Sequence, residues 1–286
     1  MHCKSIVPHD KITPHAFGGR RRTHNRKPAQ RHPERVCKNL SRVRQLNGFL
    51  TKEIDMAVAI RKIVDISLAL ENTKFTMRTP LGFKKDMQFE MEVLKEHDSE
   101  EGGQQIVRGV HMRLHAGSHV DAPEHNTKGA AQITDLAPSV FVGAAVVADL
   151  RHLVPGGAIT AAELDKAVGD IIQTGDRVLL RTDVNQTYMK DDWSKRSPYL
   201  TVEASNWMIA KKVPVVGFDC YHGAEEKQTD QPRLWHALRL LSEAGIVTLP
   251  SLINLNEIDE RRVTLVALPL KIVDAEASPV RAVVLM

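Results

Sequence analysis

With 286 residues, 42% of them hydrophobic and 26% charged, the chain has the composition of a soluble globular protein large enough to bury one sizeable core. No apolar run approaches the roughly eighteen residues of a membrane span, and three scattered cysteines (Cys3, Cys37, Cys220) make no disulfide framework, which points to a reducing, cytoplasmic location. The net charge of +4 is unevenly spread: residues 1–55 hold thirteen Lys/Arg against four Asp/Glu, leaving about −5 on residues 56–286, where no basic stripe suggests nucleic-acid binding.

Residues 1–55, which include HAFGGRRRTHNRKPAQRHPER, are rich in Arg, His and Pro and show no sustained period of 2 or 3.6. Such a segment buries too little apolar surface to offset the entropy of ordering, so disorder or loose packing is expected. A basic arm for RNA or an anionic surface competes with an unstructured extension of no chemical role, and composition favours the second. A targeting peptide is disfavoured, because an apolar stretch and a Ser-rich, acid-free character are missing. Met56 opens MAVAIRKIVDISLAL, a natural place for a start.

From Ile60 the pattern is regular. KIVDISLAL and MQFEMEVLKE alternate like strands, and QQIVRGVHMRLHAGSHV is a longer extended run. GAAVVADL is nearly continuous apolar sequence, as in a strand buried on both faces. TAAELDKAVGDI starts a helix, with Thr160 and Glu163 spaced as a capping box. DRVLLRTD is a strand, TVEASNWMIAKK a helix capped by Thr201, VPVVGFDC a strand ending at Asp219, and RLWHALRLLSEAG an amphipathic helix closed by Gly245. GIVTLPSLINL, RRVTLVALPLKIV and VRAVVLM complete a strand-rich end. The expected fold is one mixed α/β domain over residues 56–286. It carries no dinucleotide loop, P-loop, internal repeat or nucleophile elbow, so serine-hydrolase chemistry is disfavoured.

The residues that carry chemistry are concentrated in HAGSHVDAPEH, residues 115–125. In an extended chain, positions 115, 117, 119 and 121 point to one side. His115, His119 and Asp121 then converge, and Gly117 leaves room among them. Imidazole nitrogen and carboxylate oxygen suit Zn²⁺, Mn²⁺ or Fe²⁺. Three protein ligands leave coordination positions open, as in a catalytic site. His125 follows the turn at Pro123, close enough to exchange a proton with water activated by the ion. Hydrolysis of a polarised carbonyl is the expected outcome. A single histidine is usually a packing or surface residue; three with an aspartate in register are harder to explain that way.

HAGSHVDAPEH resembles the H-x-G-T-H-x-D-x-P-x-H motif of the metal-dependent cyclase family, which includes bacterial kynurenine formamidase, isatin hydrolase and a dienelactone hydrolase. IVDISLAL, VVGFDC and LPLKIVDAEASPVRAVVL resemble further blocks of that family in the same order. The resemblance implies a strand-rich domain of the swivelling β/β/α type, a small-molecule substrate and a homodimer or homotetramer. It assigns His115, His119 and Asp121 to a metal, His125 to general acid–base work, and His236 to a second metal in dinuclear members. Ser118 stands where Thr is usual and keeps the hydroxyl. Pro250, in VTLPSLINL, stands where dinuclear members carry a glutamate ligand, and proline has no side-chain donor. The departure implies one divalent ion, Zn²⁺ or Mn²⁺, with His236 as a substrate contact or weak ligand, unless Glu225, Glu226, Asp230 or Gln231 substitutes.

Other residues are open to more than one reading. Asp219 could orient a ligand histidine or cap a strand end, His222 could line a pocket, and His111 flanks the cluster. Trp193, Tyr199, Trp207, Tyr221 and Trp235 could form a flat pocket or pack in the core. The favoured function is a metal-dependent hydrolase opening a cyclic amide, formamide or lactone, as in arylformamidase. A dienelactone-type ester hydrolase, a dehydrating cyclase and a catalytically decayed metal-binding homologue are the alternatives.

Overall fold

Short runs rich in Val, Ala and Leu build a large sheet, and short helices cross between its parallel strands. The computed structural model describes residues 60–71, 89–96, 105–187, 196–220 and 236–286, and Ala59–Met286 forms one compact unit. The readings given above for residues 1–55, Trp193, Tyr221, His222, Glu225, Glu226, Asp230, Gln231 and Trp235 lie outside the described residues. In chain order the elements begin with strands β1 (Ile63–Asp65), β2 (Phe89–Lys95), β3 (Val107–Met112), β4 (His119–Asp121), β5 (Val142–Asp149) and β6 (Ala158–Ile159). Helix α1 (Ala161–Val168), β7 (Arg177–Arg181), β8 (Tyr199–Leu200), α2 (Val202–Ala210), β9 (Val215–Phe218) and α3 (His236–Glu243) follow. The chain closes with β10 (Val247–Leu249), β11 (Arg262–Val266), β12 (Ala277–Pro279) and β13 (Val283–Leu285).

Among the described residues, nine strands form one sheet in the order β1-β13-β11-β5-β7-β9-β10-β4-β12. The central four, β5, β7, β9 and β10, are parallel, and α1, α2 and α3 supply the crossovers that parallel neighbours require. Alternation sorts their side chains. Val146, Ala148, Val178, Leu180 and Val216 face the helices, against Leu164, Met208, Leu238 and Leu241. Ala145, Val147, Leu179 and Val215 face the other way, toward Val64, Val120, Leu249 and Leu265. That second cluster draws on strands far apart in the sheet order, so the sheet curls. Ser67, just beyond β1, bridges to Leu252 after β10, and the Ile253 N–H donates to the Ile66 carbonyl at 3.1 Å.

The predicted helix starts hold. Thr160 Oγ1 accepts from the Glu163 N–H at 3.2 Å, and Thr201 Oγ1 from the Ala204 N–H at 3.3 Å. The Glu163 carboxylate does not close a capping box; it meets His152 Nε2 at 2.6 Å. Trp207 packs on α2 with Lys211 Nζ 5.6 Å from its ring centroid, and Tyr199 is half-buried in β8.

Asp219 is a strand-end cap. It is 2% exposed and accepts from the Thr182 N–H (2.7 Å), the Thr182 hydroxyl (2.6 Å) and the Asp183 N–H (2.8 Å), tying the end of β9 to that of β7. Of its two readings, these contacts support the strand-end cap. Burial pushes the carboxyl up to about 7, against the pull of the three donors. The folded state therefore holds this proton more tightly than the unfolded chain does. Stability falls as pH rises from about 4 to about 7, by as much as ~4 kcal/mol from this group. Asp219→Asn removes the ionisable group but sets an amide N–H against the Asp183 N–H, at a cost of about 1–3 kcal/mol. Urea unfolding at pH 5 and pH 8 is expected to show the variant closer to wild type at pH 8. An equal gap at both pH values would overturn the burial argument.

Candidate metal centre

The chain does not run extended from β3 into β4. The Ala116 N–H donates to the Arg113 carbonyl at 3.1 Å, closing a turn, and Gly117 has φ +61°, in the left-handed region. That backbone conformation favours glycine; a Cβ there would also lie 2.7 Å from Leu70 Cδ2, the movable end of a side chain. The expectation that positions 115 to 121 share one strand face is thereby corrected. His119 and Asp121 share a face of β4, and His115 reaches them from the turn that Gly117 permits. Ser118 fixes that turn. Its hydroxyl accepts from the Leu68 N–H at 2.8 Å and donates to the Ser251 carbonyl at 2.6 Å.

The convergence centres on one oxygen. Asp121 Oδ1 lies 2.8 Å from His115 Nδ1 and 3.3 Å from His119 Nε2. It is buried and accepts no hydrogen bond of sound geometry, whereas Oδ2 takes the Thr248 hydroxyl at 3.0 Å. The outer ring nitrogens are engaged elsewhere. His119 Nδ1 donates to the Gly117 carbonyl at 2.7 Å, and His115 Nε2 meets Glu276 Oε1 at 3.1 Å. In these tautomers both rings aim a lone pair at the Asp121 oxygen. Two lone pairs facing a carboxylate repel it unless a cation mediates. A proton on His115 supplies one and a divalent ion a stronger one, so the donor set fits a metal.

His125 sits on the 3₁₀ turn Pro123–His125, its ring centroid 4.3 Å from that of His115. Ligand atoms of His115, Asp121 and His125 all lie within 4.8 Å of one another. Helix α3 packs on this turn, with Asn126 Nδ2 3.4 Å from Ser242 Oγ.

The charges on these groups follow from the packing. Burial opposes ionisation of Asp121, but His119 and His115 outweigh it and hold the carboxyl well below the usual carboxylate range. Burial likewise works against charge on His115, yet Asp121 and Glu276 raise its pKa above the ordinary 6.5. His125 is an exposed residue whose ring nevertheless lies against the cluster. Desolvation there, with His115 and His119 adding to it, lowers its pKa despite Asp121 and Glu276. His125 is therefore neutral near pH 7 and able to take a proton.

Thr248 pairs with Asp121 across β10 and β4, so the antiparallel register sets buried Pro250 opposite His119. A glutamate there would face the ligand strand; proline offers no donor. His236 opens α3 half-buried and is not among the three groups that fall within 4.8 Å of one another. His111 lies on β3, where its Nε2 is 3.1 Å from Glu92 Oε1, outside the cluster. The contacts of Thr248 and Glu276 with the cluster are not foreseen in the sequence. Both arise from pairing with β4, and no local pattern announces which strands flank it.

Comparison with known proteins agrees with this architecture. The Cyclase family model matches residues 64–223, and the chain belongs to that family. Kynurenine formamidase of Sphingopyxis alaskensis is 30% identical over 177 residues, covering 62% of this chain and 79% of that one. The kynurenine formamidase of Bacillus cereus is 28% identical over 221 residues, covering 77% and 96%. Among solved structures, isatin hydrolase A from Labrenzia aggregata superposes with a TM-score of 0.70 at 23% identity, covering 85% of this chain and 99% of that one. A protein from Bacillus stearothermophilus described as a predicted metal-dependent hydrolase superposes with a TM-score of 0.59 at 25% identity, covering 78% and 98%.

Proposed function

We propose that this chain is a metal-dependent hydrolase that opens the C–N bond of a small cyclic amide or formamide. The observation that carries the reading is Asp121 Oδ1, a buried carboxylate oxygen without a hydrogen bond and faced by two imidazole nitrogens. The names of the relatives, kynurenine formamidase and isatin hydrolase, support the C–N substrate class. His115, His119 and Asp121 would hold one divalent ion, Zn²⁺ or Mn²⁺, with His236 left as a substrate contact. When bound, such an ion supplies Lewis acidity to the substrate carbonyl and to water. Neutral His125 accepts the proton of the attacking water as its oxygen bonds to the carbonyl carbon. The imidazolium then delivers that proton to the nitrogen as the C–N bond breaks.

Two measurements test this reading. Metal analysis of the purified protein is expected to give close to one ion per chain; two would mean that another side chain replaces the glutamate missing at Pro250. A screen of an N-formyl aromatic amine, isatin, a cyclic imide and a small lactone, each with Mn²⁺ and with Zn²⁺, is expected to favour the C–N substrates. Turnover of the lactone alone would favour the dienelactone-type alternative.

A further inference from the structure

We infer that Glu276 is a positioning residue for the metal centre: it anchors the outer nitrogen of His115 so that the inner nitrogen is held toward Asp121 and the ion. The inference rests on the metal reading proposed above and adds a residue to it. His115 sits in a turn and, unlike His119, is not held by a strand. Its ring needs a second point of attachment to keep one nitrogen aimed inward. For His119 that attachment is the Gly117 carbonyl, at 2.7 Å from Nδ1. For His115 it is Glu276 Oε1, at 3.1 Å from Nε2. The two rings thus present opposite nitrogens, Nδ1 of His115 and Nε2 of His119, to the same Asp121 oxygen.

Glu276 is well placed to do this. The Ala122 N–H donates to its carbonyl at 2.8 Å, and the next three residues, Ala277, Ser278 and Pro279, pair with Asp121, Val120 and His119. Its backbone is therefore registered against the strand that carries the other two ligands, and any shift of β12 would move it relative to both. Among the described residues its ion-pair partner is His115, and its side chain is 39% exposed. A hydrogen-bonding anion behind a ligand imidazole fixes the tautomer and makes the inner nitrogen a stronger donor. It is also a contact that mutation can remove, which the Gly117 carbonyl is not.

The test uses full-length wild type, Glu276→Ala and Glu276→Gln, titrated with Mn²⁺ while free Mn²⁺ is followed by electron paramagnetic resonance. Glu276→Ala is expected to raise the dissociation constant roughly 10- to 100-fold. Glu276→Gln, which keeps an acceptor oxygen, is expected to fall between it and wild type. Stoichiometry should stay at one, and the metal-free melting temperature should move little, since the side chain is partly open to solvent. The visible absorption of the Co²⁺-loaded alanine variant is expected to differ from wild type, a change that a purely structural role would not produce. A dissociation constant within a few-fold of wild type in Glu276→Ala would overturn the inference. So would a loss as complete as that caused by removing the Asp121 carboxylate, because Glu276 would then be a ligand itself. If wild type takes up no Mn²⁺, the metal reading and this inference fail together; a wild-type-like alanine variant in a protein that binds the ion sinks the inference alone.

Discussion

Asp121→Asn is expected to weaken metal binding about a thousandfold or more while leaving the metal-free protein folded. Asparagine has the same shape, and its oxygen can keep the Thr248 hydroxyl that Asp121 Oδ2 now accepts. Its amide nitrogen then occupies the position of Oδ1, 2.8 and 3.3 Å from the His115 and His119 nitrogens, and donates to their lone pairs. The exchange removes a buried charge and, with it, the attraction of His119 and His115 that now holds the carboxyl low. The two effects oppose each other, so the metal-free fold is expected to survive the substitution. The ion loses its anionic ligand, and affinity should fall by about 10³-fold or more, on the order of 4 kcal/mol. The check is thermal unfolding with and without saturating Mn²⁺. Wild type should gain the stabilisation that ligand binding confers, roughly 4 kcal/mol at a thousandfold excess over the dissociation constant. The variant should gain under about 0.5 kcal/mol at the same concentration. An undiminished upward shift in the variant would remove Asp121 from the ligand set.

The second large effect is on turnover. His125→Ala should keep the ion and lose about 10²- to 10⁴-fold in kcat, the usual worth of a positioned general base. The outcome also separates two readings of the cluster. His125 lies close enough to His115 and Asp121 to complete a three-ligand set in place of His119. If it does, the alanine variant loses metal as well as rate. If His119 is the third ligand, metal content is unchanged and the rate alone falls. Steady-state kinetics paired with metal analysis of the same sample distinguishes the two, and surviving activity would end the proton-transfer role altogether.

The sequence shows the ligand types plainly and their arrangement only in part. Short continuous apolar runs locate β5, β7 and β9, and capping threonines or an amphipathic face locate α1 to α3, because these signals need no knowledge of partners. HAGSHVDAPEH displays its chemistry because three histidines and an aspartate crowd into eleven residues. The geometry among them is less visible. Gly117 reads as a gap between side chains on a strand, yet its φ of +61° ends the strand and swings His115 round. A glycine is free to adopt either sign of φ, so its conformation is set by the tertiary structure and not by its neighbours in sequence. Strand β12 is missed because three residues of small and proline character carry no periodic signal. Thr248 and Glu276 follow from registers across long stretches of chain, which no local window contains. Asp219 reads equally well as a ligand-orienting acid, and only its three donors from the end of β7 decide otherwise.

The placing of β4 between β10 and β12 has a consequence for biosynthesis. The strand that bears His119 and Asp121 emerges from the ribosome long before either neighbour, and its edges stay unpaired until Thr248 and then Ala277 have been translated. A nascent chain stalled before Ala277 already contains all three ligands in sequence, yet it lacks one of the two walls that hold their strand. On the metal reading proposed above, ion capture would follow the translation of Ala277. A cell short of the metal would accumulate chains whose synthesis is complete and whose last step, loading, still waits.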